Sequence, residues 1–388
     1  MSKWRKKQLQ EIAFLKPTET LKKGDIAPNI PMANIKEFQR DVVKIDYSEF
    51  RGGTKFRNGD TLLAKITPCL ENGKTAFVNC LQEDEIGFGS TEFIVLRAKE
   101  NIDERFLYYL SISPEFRKQA ISLMEGTSGR KRVNENALKI SDFLIPDFEE
   151  QRKIANILSA IDDKIQINNQ INRELEDMAK TLYDYWFVQF DFPDQNGKPY
   201  KSSGGKMVYH PDLKREIPEG WGVEKLSHFL TIKNGKDHKH LQDGKFAVYG
   251  SGGIMRTVAD YLYSGESILF PRKGTLNNVM YVNEKFWTVD TMFYSEVNKN
   301  TSALYVFYSV KDIDFNKLNT GTGVPSMTSS ILYDLNIIVP EENILEKFNT
   351  VVKRNYETIK LNNIQNQELT QLRDWLLPML MNGQVKVE

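Results

Sequence analysis

The sequence predicts an α+β protein in which two mixed globular regions alternate with two long helices. Three observations predict it. The run from Glu149 to Phe187 has neither proline nor glycine. A second helical run near the C-terminus carries the same asparagines 194 residues later. Short β-branched and aromatic segments precede each run, as half-buried strands do.

The bulk properties bound the rest. A chain of 388 residues exceeds one typical core and suggests two or three domains. A hydrophobic content of 40% with 27% charged residues fits a soluble globular protein. The opening "MSKWRKKQLQEIAF" has no apolar core of a signal peptide, and no stretch approaches a membrane span. Cys69 and Cys80 make no disulfide framework, so a reduced, cytoplasmic setting is expected. The formal net charge of zero argues against a generally basic DNA-coating protein but leaves room for local basic patches.

In chain order, residues 1–148 read as the first globular region, with strands in "DTLLAKI" and "STEFIVLRA". "DERFLYYLSISPEFRKQAISLM" is helical at both ends and broken near Pro114. Residues 149–187 form the central long helix. Residues 188–220, rich in Pro, Gly, Ser and Lys, read as an exposed connection. Residues 221–340 form the second globular region, with strands in "SILFPRK" and "MFYSEV", and 341–388 the second long helix and tail.

The repeat is explicit. "NNQINREL" from Asn168 lies over "NNIQNQEL" from Asn362, and Pro146 over Pro340. A glycine-rich loop recurs with a one-residue slip, "GTSGRKRV" from Gly126 and "GTGVPSM" from Gly321. Further upstream "GDTLLAKITP" resembles "GESILFPRKG", and the segment around Trp4 resembles that around Trp221.

Both helices show a 3.5-residue seam. With Ile154 at position a, positions a and d take Ile154, Leu158, Ile161, Ile165, Asn168, Asn172, Leu175, Ala179, Leu182 and Trp186. The second copy takes Phe348, Val352, Asn355, Ile359, Asn362, Asn366, Leu369, Arg373, Leu376 and Leu380. Such seams coil around one another. Asparagine at a core position weakens a coiled coil but fixes its register, since a slipped pairing leaves the amide unsatisfied. Asn168, Asn172, Asn362 and Asn366 are therefore expected to be register residues. The seam alone allows parallel or antiparallel pairing. In the antiparallel case Asn168 faces Asn366, and Ile161 meets Arg373, a mismatch the pattern does not explain. Some thirty-seven helical residues span roughly 55 Å, long enough to hold two binding units apart. With eight acidic and five basic residues between Glu149 and Phe187, the helix is a poor DNA ligand itself.

Several motifs together resemble the specificity subunit of type I restriction–modification enzymes: "AKITPCLENGKTAFV", "GFGSTEFIVLR", "EEQRKIANILSAIDDKIQINNQINRELE", "LYDYWFVQFDFPDQNGKPYKSSGGKM", "KGTLNNVMYVNEKFWTVDT" and "LRDWLLPMLMNGQVKV". They cover nearly the whole chain. The resemblance implies two target recognition domains alternating with two long helices in an antiparallel coiled coil of pseudo-twofold symmetry. It implies that each domain reads one half of a split site in double-stranded DNA, while the helices set the spacer and dock two modification subunits. Those partners carry S-adenosylmethionine and methylate adenine. Separate restriction subunits use ATP and Mg and cleave DNA. This chain needs no cofactor or metal of its own and is non-catalytic. A different class remains as the alternative, an assembly adaptor with two protein-binding domains on a coiled-coil spacer.

Enzymatic readings fail on the residues. "NGKT" ends like a phosphate loop, but Pro68 stands where its first glycine belongs. "GFGS" at Gly87 is too short a match to a cofactor loop. No Asn or Asp precedes Pro-Pro-aromatic, so the adenine-methylating motif is missing. Asp147, Asp162 and Lys164 have a nuclease-like spacing, but the last two lie in the long helix and read as solvated charges. His238 and His240 lack companion ligands. Cys69 and Cys80 read as small, partly buried side chains, and Tyr183, Tyr185, Trp186 and Phe187 as a packed helix end.

DNA contacts call for Lys and Arg at phosphates and for Arg, Lys, Asn, Gln, Ser or Thr at bases. In the first region "GTSGRKRVNEN" supplies Arg130, Lys131, Arg132 and Asn134, with Gly126 and Gly129 permitting close approach; Lys65, Lys74 and Arg51 come next. In the second region the candidates are Arg272, Lys273, Asn277 and Asn278, with Thr322 and Ser326 in the matching glycine loop.

Overall fold

The computed structural model describes residues 4–127, 129–298, 303–321 and 323–385. The chain divides into two compact units, Met1–Gln170 with Asn362–Glu388, and Ile171–Leu361.

In the first unit the chain runs β1 (Arg5–Gln8), α1 (Leu9–Ile12), β2 (Ala13–Leu15), β3 (Ile26–Ile30), β4 (Asp46–Glu49), β5 (Thr54–Phe56), β6 (Thr61–Ala64), β7 (Thr75–Phe77), β8 (Gly87–Gly89) and β9 (Phe93–Ala98). It continues through α2 (Glu104–Ile112), α3 (Pro114–Ser122), β10 (Met124–Glu125), β11 (Arg132–Val133), α4 (Glu135–Lys139) and β12 (Asp142–Ile145) into the long helix α5 (Phe148–Tyr183). Two four-stranded sheets result, in the orders β2-β9-β6-β7 and β4-β3-β8-β5, with β3 parallel to β8. Leu62 and Leu63 of β6 and Phe93 to Leu96 of β9 are all buried, so these strands are covered on both faces. The helical stretch breaks at Pro114 as expected. Asp103 caps α2 through the amides of Arg105 and Phe106, and Ser113 caps α3 with Pro114 in its first turn.

The second unit holds β13 (Met207–His210), β14 (Arg215–Pro218), β15 (Gly222–Lys225), α6 (Leu226–Phe229), β16 (Leu230–Asn234), β17 (Asp243–Gly250), β18 (Gly253–Val258), β19 (Tyr263–Pro271), β20 (Met280–Thr288) and β21 (Met292–Val297). Then come α7 (Ala303–Lys311), α8 (Ser329–Tyr333), β22 (Asn336–Val339) and the second long helix, α9 (Glu342–Met381). Its main sheet has the order β16-β21-β19-β20-β17-β18. This is the first copy's pair of sheets joined. β16-β21-β19-β20 repeats β2-β9-β6-β7. The other half repeats β4-β3-β8-β5, including a parallel pair, here β17 with β20. In both copies a strand–turn–strand unit begins the domain, and its first strand pairs with the strand that leads into the long helix: β1 with β12, β15 with β22. The likenesses around Trp4/Trp221 and Gly59/Gly265 are thus equivalent elements.

The connection 188–220 is mostly exposed, as its composition suggests, but a small packed core runs through it. Phe190, Phe192 and Ile217 are buried. Phe192 stacks on Tyr200 and on Trp221, with ring centroids 4.7 Å apart in each case. Asp191 accepts hydrogen bonds from the amide and hydroxyl of Ser202 at 2.7 and 2.6 Å. The turn residues that dominate the composition only shape a fold that a few aromatics hold together. The preceding helix end, apart from the exposed Tyr185, is packed as expected at Tyr183, Trp186 and Phe187. It finishes in a π-turn, Asp184–Val188, whose Phe187 lies 4.7 Å from Tyr305 and 5.0 Å from Phe348.

Within each unit the segments of α5 and α9 run antiparallel. In the first, Ile154 and Leu158 are buried in one cluster with Leu377 and Leu380. The Asn168 amide donates to Gln365 Oε1 at 2.8 Å and to Asn366 Oδ1 at 2.9 Å, and Asn366 donates to Asn169 at 2.9 Å. Asn168 thus meets Asn366, as the antiparallel register requires. In the second unit Asn355 donates to the carbonyl of Leu175 at 3.3 Å, and Phe348 packs on Tyr183 and Trp186. Asn172 is buried, and Asn362 half-buried.

One expectation is overturned. Asp162 is not a solvated charge but is 3% exposed. Its carboxylate accepts from Arg373 Nη1 at 2.8 Å and from the Tyr109 hydroxyl at 2.7 Å. The unexplained arginine at a core position therefore meets a carboxylate one residue beyond Ile161. Burial works against the Arg373 cation, but Asp162, Tyr108 and Asp374 together outweigh it and its pKa is raised; burial, reinforced by Asp162, raises that of Tyr109. Lys164 stays exposed.

Breaking this pair leaves a buried, uncompensated charge. Arg373→Ala or Asp162→Ala alone should cost about 3–5 kcal/mol, while the apolar double replacement Asp162→Leu/Arg373→Met should cost clearly less than either. Denaturant unfolding of the four proteins checks this; a double variant as unstable as the singles contradicts it.

Candidate nucleic-acid interface

In the first copy the chain leaving β6 crosses the chain entering β11. Thr67 N–H donates to the Lys131 carbonyl at 3.0 Å, and Val133 N–H to the Lys65 carbonyl at 2.9 Å, which makes Ile66 and Arg132 a β-bridge. In the second copy Gly274 N–H donates to the Pro325 carbonyl at 3.0 Å and Met327 N–H to that of Arg272 at 2.9 Å, bridging Lys273 and Ser326. The same crossing is built twice. Val133 and Met327 anchor it, both buried. The crossing places Lys131, Arg132 and Val133 over Pro325, Ser326 and Met327, so the one-residue slip between the glycine loops is absorbed before it.

The crossing collects Lys65, Lys131 and Arg132 in one copy and Arg272, Lys273 and Ser326 in the other. Their side chains are not equally available. Lys65 bonds Glu135 at 3.2 Å, which Lys16 also reaches at 2.6 Å. Burial would raise the Glu135 carboxyl, but these two ammonium groups hold it below its usual range. Arg132 donates three hydrogen bonds to Glu92, at 2.7 to 3.1 Å, and these lower the Glu92 pKa. Asn134 caps α4, accepting from the amides of Asn136 and Ala137, and donates to Glu125. Lys74 lies off the crossing and donates to the Met32 carbonyl. Arg51, exposed, pairs with Glu49. Arg130 and Lys131 are exposed, and their side chains make no hydrogen bond or ion pair among the described residues. Gly126 and Gly129, both at positive φ, turn the chain before them.

In the second copy Lys273 is exposed and Arg272 lies 5.9 Å from the Phe293 ring. Asn277 donates to Asp314 at 3.1 Å, and Asn278 to the Ser251 carbonyl at 2.9 Å, tying the hairpin turn beyond β17 to this loop. Thr322 lies outside the described residues. Sequence reasoning missed Asn319, whose carboxamide oxygen accepts from the amides of Gly321 and Ser326, both at 2.8 Å. It folds the glycine loop. Asparagine ahead of Thr-Gly-Thr-Gly is an Asx-turn signal that could have identified it.

The rejected enzymatic motifs have structural roles. Gly73 sits where a Cβ would lie 2.6 Å from the Phe38 ring, so "NGKT" makes room for an aromatic, not a phosphate. Among the described residues no group of three His, Cys, Asp or Glu side chains is placed to hold a metal ion, and no helix is long and apolar enough to cross a membrane. Cys69 and Cys80 are half-buried, and burial pushes the Cys80 thiol pKa up.

A family model described as the type I restriction modification DNA specificity domain matches residues 1–177 and 218–371, one segment over each copy. The chain belongs to this family. It is 29% identical over 320 residues to the type I restriction enzyme MjaIX specificity subunit of Methanocaldococcus jannaschii, covering 75% of this chain and 71% of that protein. It is 24% identical to the HindI specificity subunit of Haemophilus influenzae, over 85% of this chain and 87% of that one. The crystal structure of a type I restriction–modification S subunit from M. genitalium aligns over 98% of this chain and 96% of its own, at 18% identity and a TM-score of 0.59, which marks a shared fold.

If Asn319 organises the second specificity domain's loop, Asn319→Ala should speed amide hydrogen exchange at Gly321 and Ser326 by roughly five- to tenfold, as loss of about 1–1.4 kcal/mol of hydrogen bonding implies. Exchange in β19 and β21 should not change; an unaltered loop would show that Asn319 is incidental.

Proposed function

We propose that this chain is the DNA-specificity subunit of a type I restriction–modification complex, with each globular domain reading one half of a bipartite site. The observation that carries this reading is the twofold construction of one loop crossing, each time beside exposed basic or polar side chains, in a chain of the DNA specificity family. Residues 1–148 and 221–340 are the two target recognition domains. Residues 149–187 and 341–388 are the spacer helices, an antiparallel coiled coil with pseudo-twofold symmetry, and 188–220 connects the halves. Asn168, Asn172, Asn362 and Asn366 hold the register.

Phosphate and base contacts come from Arg130, Lys131, Arg272 and Lys273, joined by Asn277, Asn278, Thr322 and Ser326. Lys65, Lys74, Arg132 and Asn134 act in the same loops, and those already paired with protein groups must exchange partners to reach DNA. The helices dock two modification subunits, which bring S-adenosylmethionine and methylate adenine, and restriction subunits bring ATP and Mg. This chain performs no chemistry itself and works in the cytoplasm, where the DNA is.

Mapping methylated adenines in a genome that carries the protein with its modification subunits should give a two-part site. Replacing residues 1–148 by another recognition domain should alter one half alone; alteration of both halves would contradict two independent readers.

The paired and unpaired cations should also separate in binding. Arg130→Ala/Lys131→Ala should flatten the log–log salt dependence of duplex binding by nearly two, about 0.9 for each phosphate left without its cation. Arg132→Ala should flatten it less, because Glu92 already neutralises that side chain. An unchanged slope in the double variant would remove this loop from the interface.

A further inference from the structure

The two copies differ in how one hairpin is closed. β17 and β18 are joined through Ser251 and Gly252 alone, whereas residues 31–45 separate β3 from β4. That longer loop docks on the helical segments of its own unit. Arg40, 5% exposed, sets Nη2 at 2.7 Å from Asp163 and Nη1 at 3.4 Å from the Ser159 carbonyl, and holds Asp41 at 3.1 Å. The neighbouring Phe38 carbonyl accepts from Arg373 at 3.1 Å, and the same Arg373 binds Asp162.

Among the described residues the second copy has no arginine clamp; there Lys360 reaches the Asn283 carbonyl at 3.1 Å and Tyr356 packs on Tyr281. The 194-residue displacement puts Tyr356 in place of Asp162 and Ala179 in place of Arg373. There a cavity of about 160 Å³ opens, lined among others by Ala179, Tyr308 and Tyr356. Among the described residues the charged clamp thus occurs once, together with the long loop that uses it.

Asp163 is 58% exposed, and an ion pair of that kind contributes little to stability. A guanidinium fork gives direction rather than energy there. The first domain already meets the long helices through β12, through the apolar cluster that α2 shares with Ile154, Leu158 and Leu377, and through Tyr109 at Asp162. Arg40 adds a directional contact from the β3–β4 loop, which belongs to the domain's other sheet, and so orients that part of the domain on α5.

We propose that Arg40 is a positioning residue for DNA reading: clamped between Asp163 and the Ser159 carbonyl, it fixes the tilt of the first recognition domain on its helices and keeps the unread spacer at one length. This rests on the function proposed above.

The test maps methylated adenines produced by the full chain with its modification subunits. The wild type should show one spacer length. Arg40→Met should keep both half-sites but methylate sites with a spacer one base pair longer or shorter about tenfold more often than the wild type. Arg40→Lys, which keeps the charge and loses the fork, should fall between. Asp163→Ala removes the surface carboxylate from the clamp and should relax spacing with unchanged thermal unfolding, so it decides the matter should Arg40→Met fail to fold. Strict wild-type spacing in Asp163→Ala and in any folded Arg40→Met overturns the proposal, as does a uniform loss of methylation without relaxed spacing. A wild-type map with no bipartite site overturns the proposed function instead, and this inference with it.

Discussion

Taking Asp162 out of water is the demanding step in the first unit, and much of that unit is arranged around it. An isolated buried carboxylate is strongly disfavoured. Here it is matched by Arg373 from α9 and by the Tyr109 hydroxyl from α2. Three elements are thereby tied at one point: the first long helix, the second, and the helix that covers the first domain's sheet. The Arg373 guanidinium extends the network through the Phe38 carbonyl to the β3–β4 loop. An apolar seam alone would permit sliding by one heptad. A single carboxylate that must find a single arginine does not, and the Asn168–Asn366 contact one heptad further along the seam imposes the same register.

Much of this was legible in the sequence. Heptad spacing marks residues that are in fact buried or half-buried, such as Ile154, Leu158, Ala179, Phe348, Val352 and Leu380. The paired motifs "GDTLLAKITP" and "GESILFPRKG" fall on β6 and β19, which hold the same place in their sheets. Asp162 was not legible, because nothing local distinguishes a solvated helix carboxylate from one whose partner lies 211 residues away. Arg40 was missed for the same reason; its partners at Ser159 and Asp163 belong to a helix it meets only in the folded chain. The connection after Phe187 is largely exposed, as its prolines and glycines suggest, but its small core of a few rings was not legible, because composition does not show which aromatics meet.

The loop candidates show a related limit. The loop residues were picked for charge, and Lys65, Lys131 and Arg132 meet at the crossing. Charge alone says nothing of prior engagement. Lys65 and Arg132 sit in ion pairs with Glu135 and Glu92, while Arg130 and Lys131 are exposed and pair with no carboxylate among the described residues. Paired cations contribute less to a potential that attracts phosphate, since the nearby carboxylate cancels their field within a few ångströms.

The repeated crossing suggests how one scaffold can present different surfaces. Its hydrogen bonds run from backbone to backbone, Thr67 to Lys131 and Val133 to Lys65 in one copy, Gly274 to Pro325 and Met327 to Arg272 in the other. They ask nothing of the side chains except that Val133 and Met327 be apolar enough to bury. Ile66 can therefore stand where the other copy has Lys273, and Arg132 where it has Ser326, with the crossing undisturbed. Backbone bonds fix where the loop lies, and side chains are left to decide what it meets. A glycine at 274 in place of Thr67 fits the same division. With its φ of +91° it adopts a turn that other residues resist, and the loop changes direction there while its hydrogen bond to Pro325 is kept.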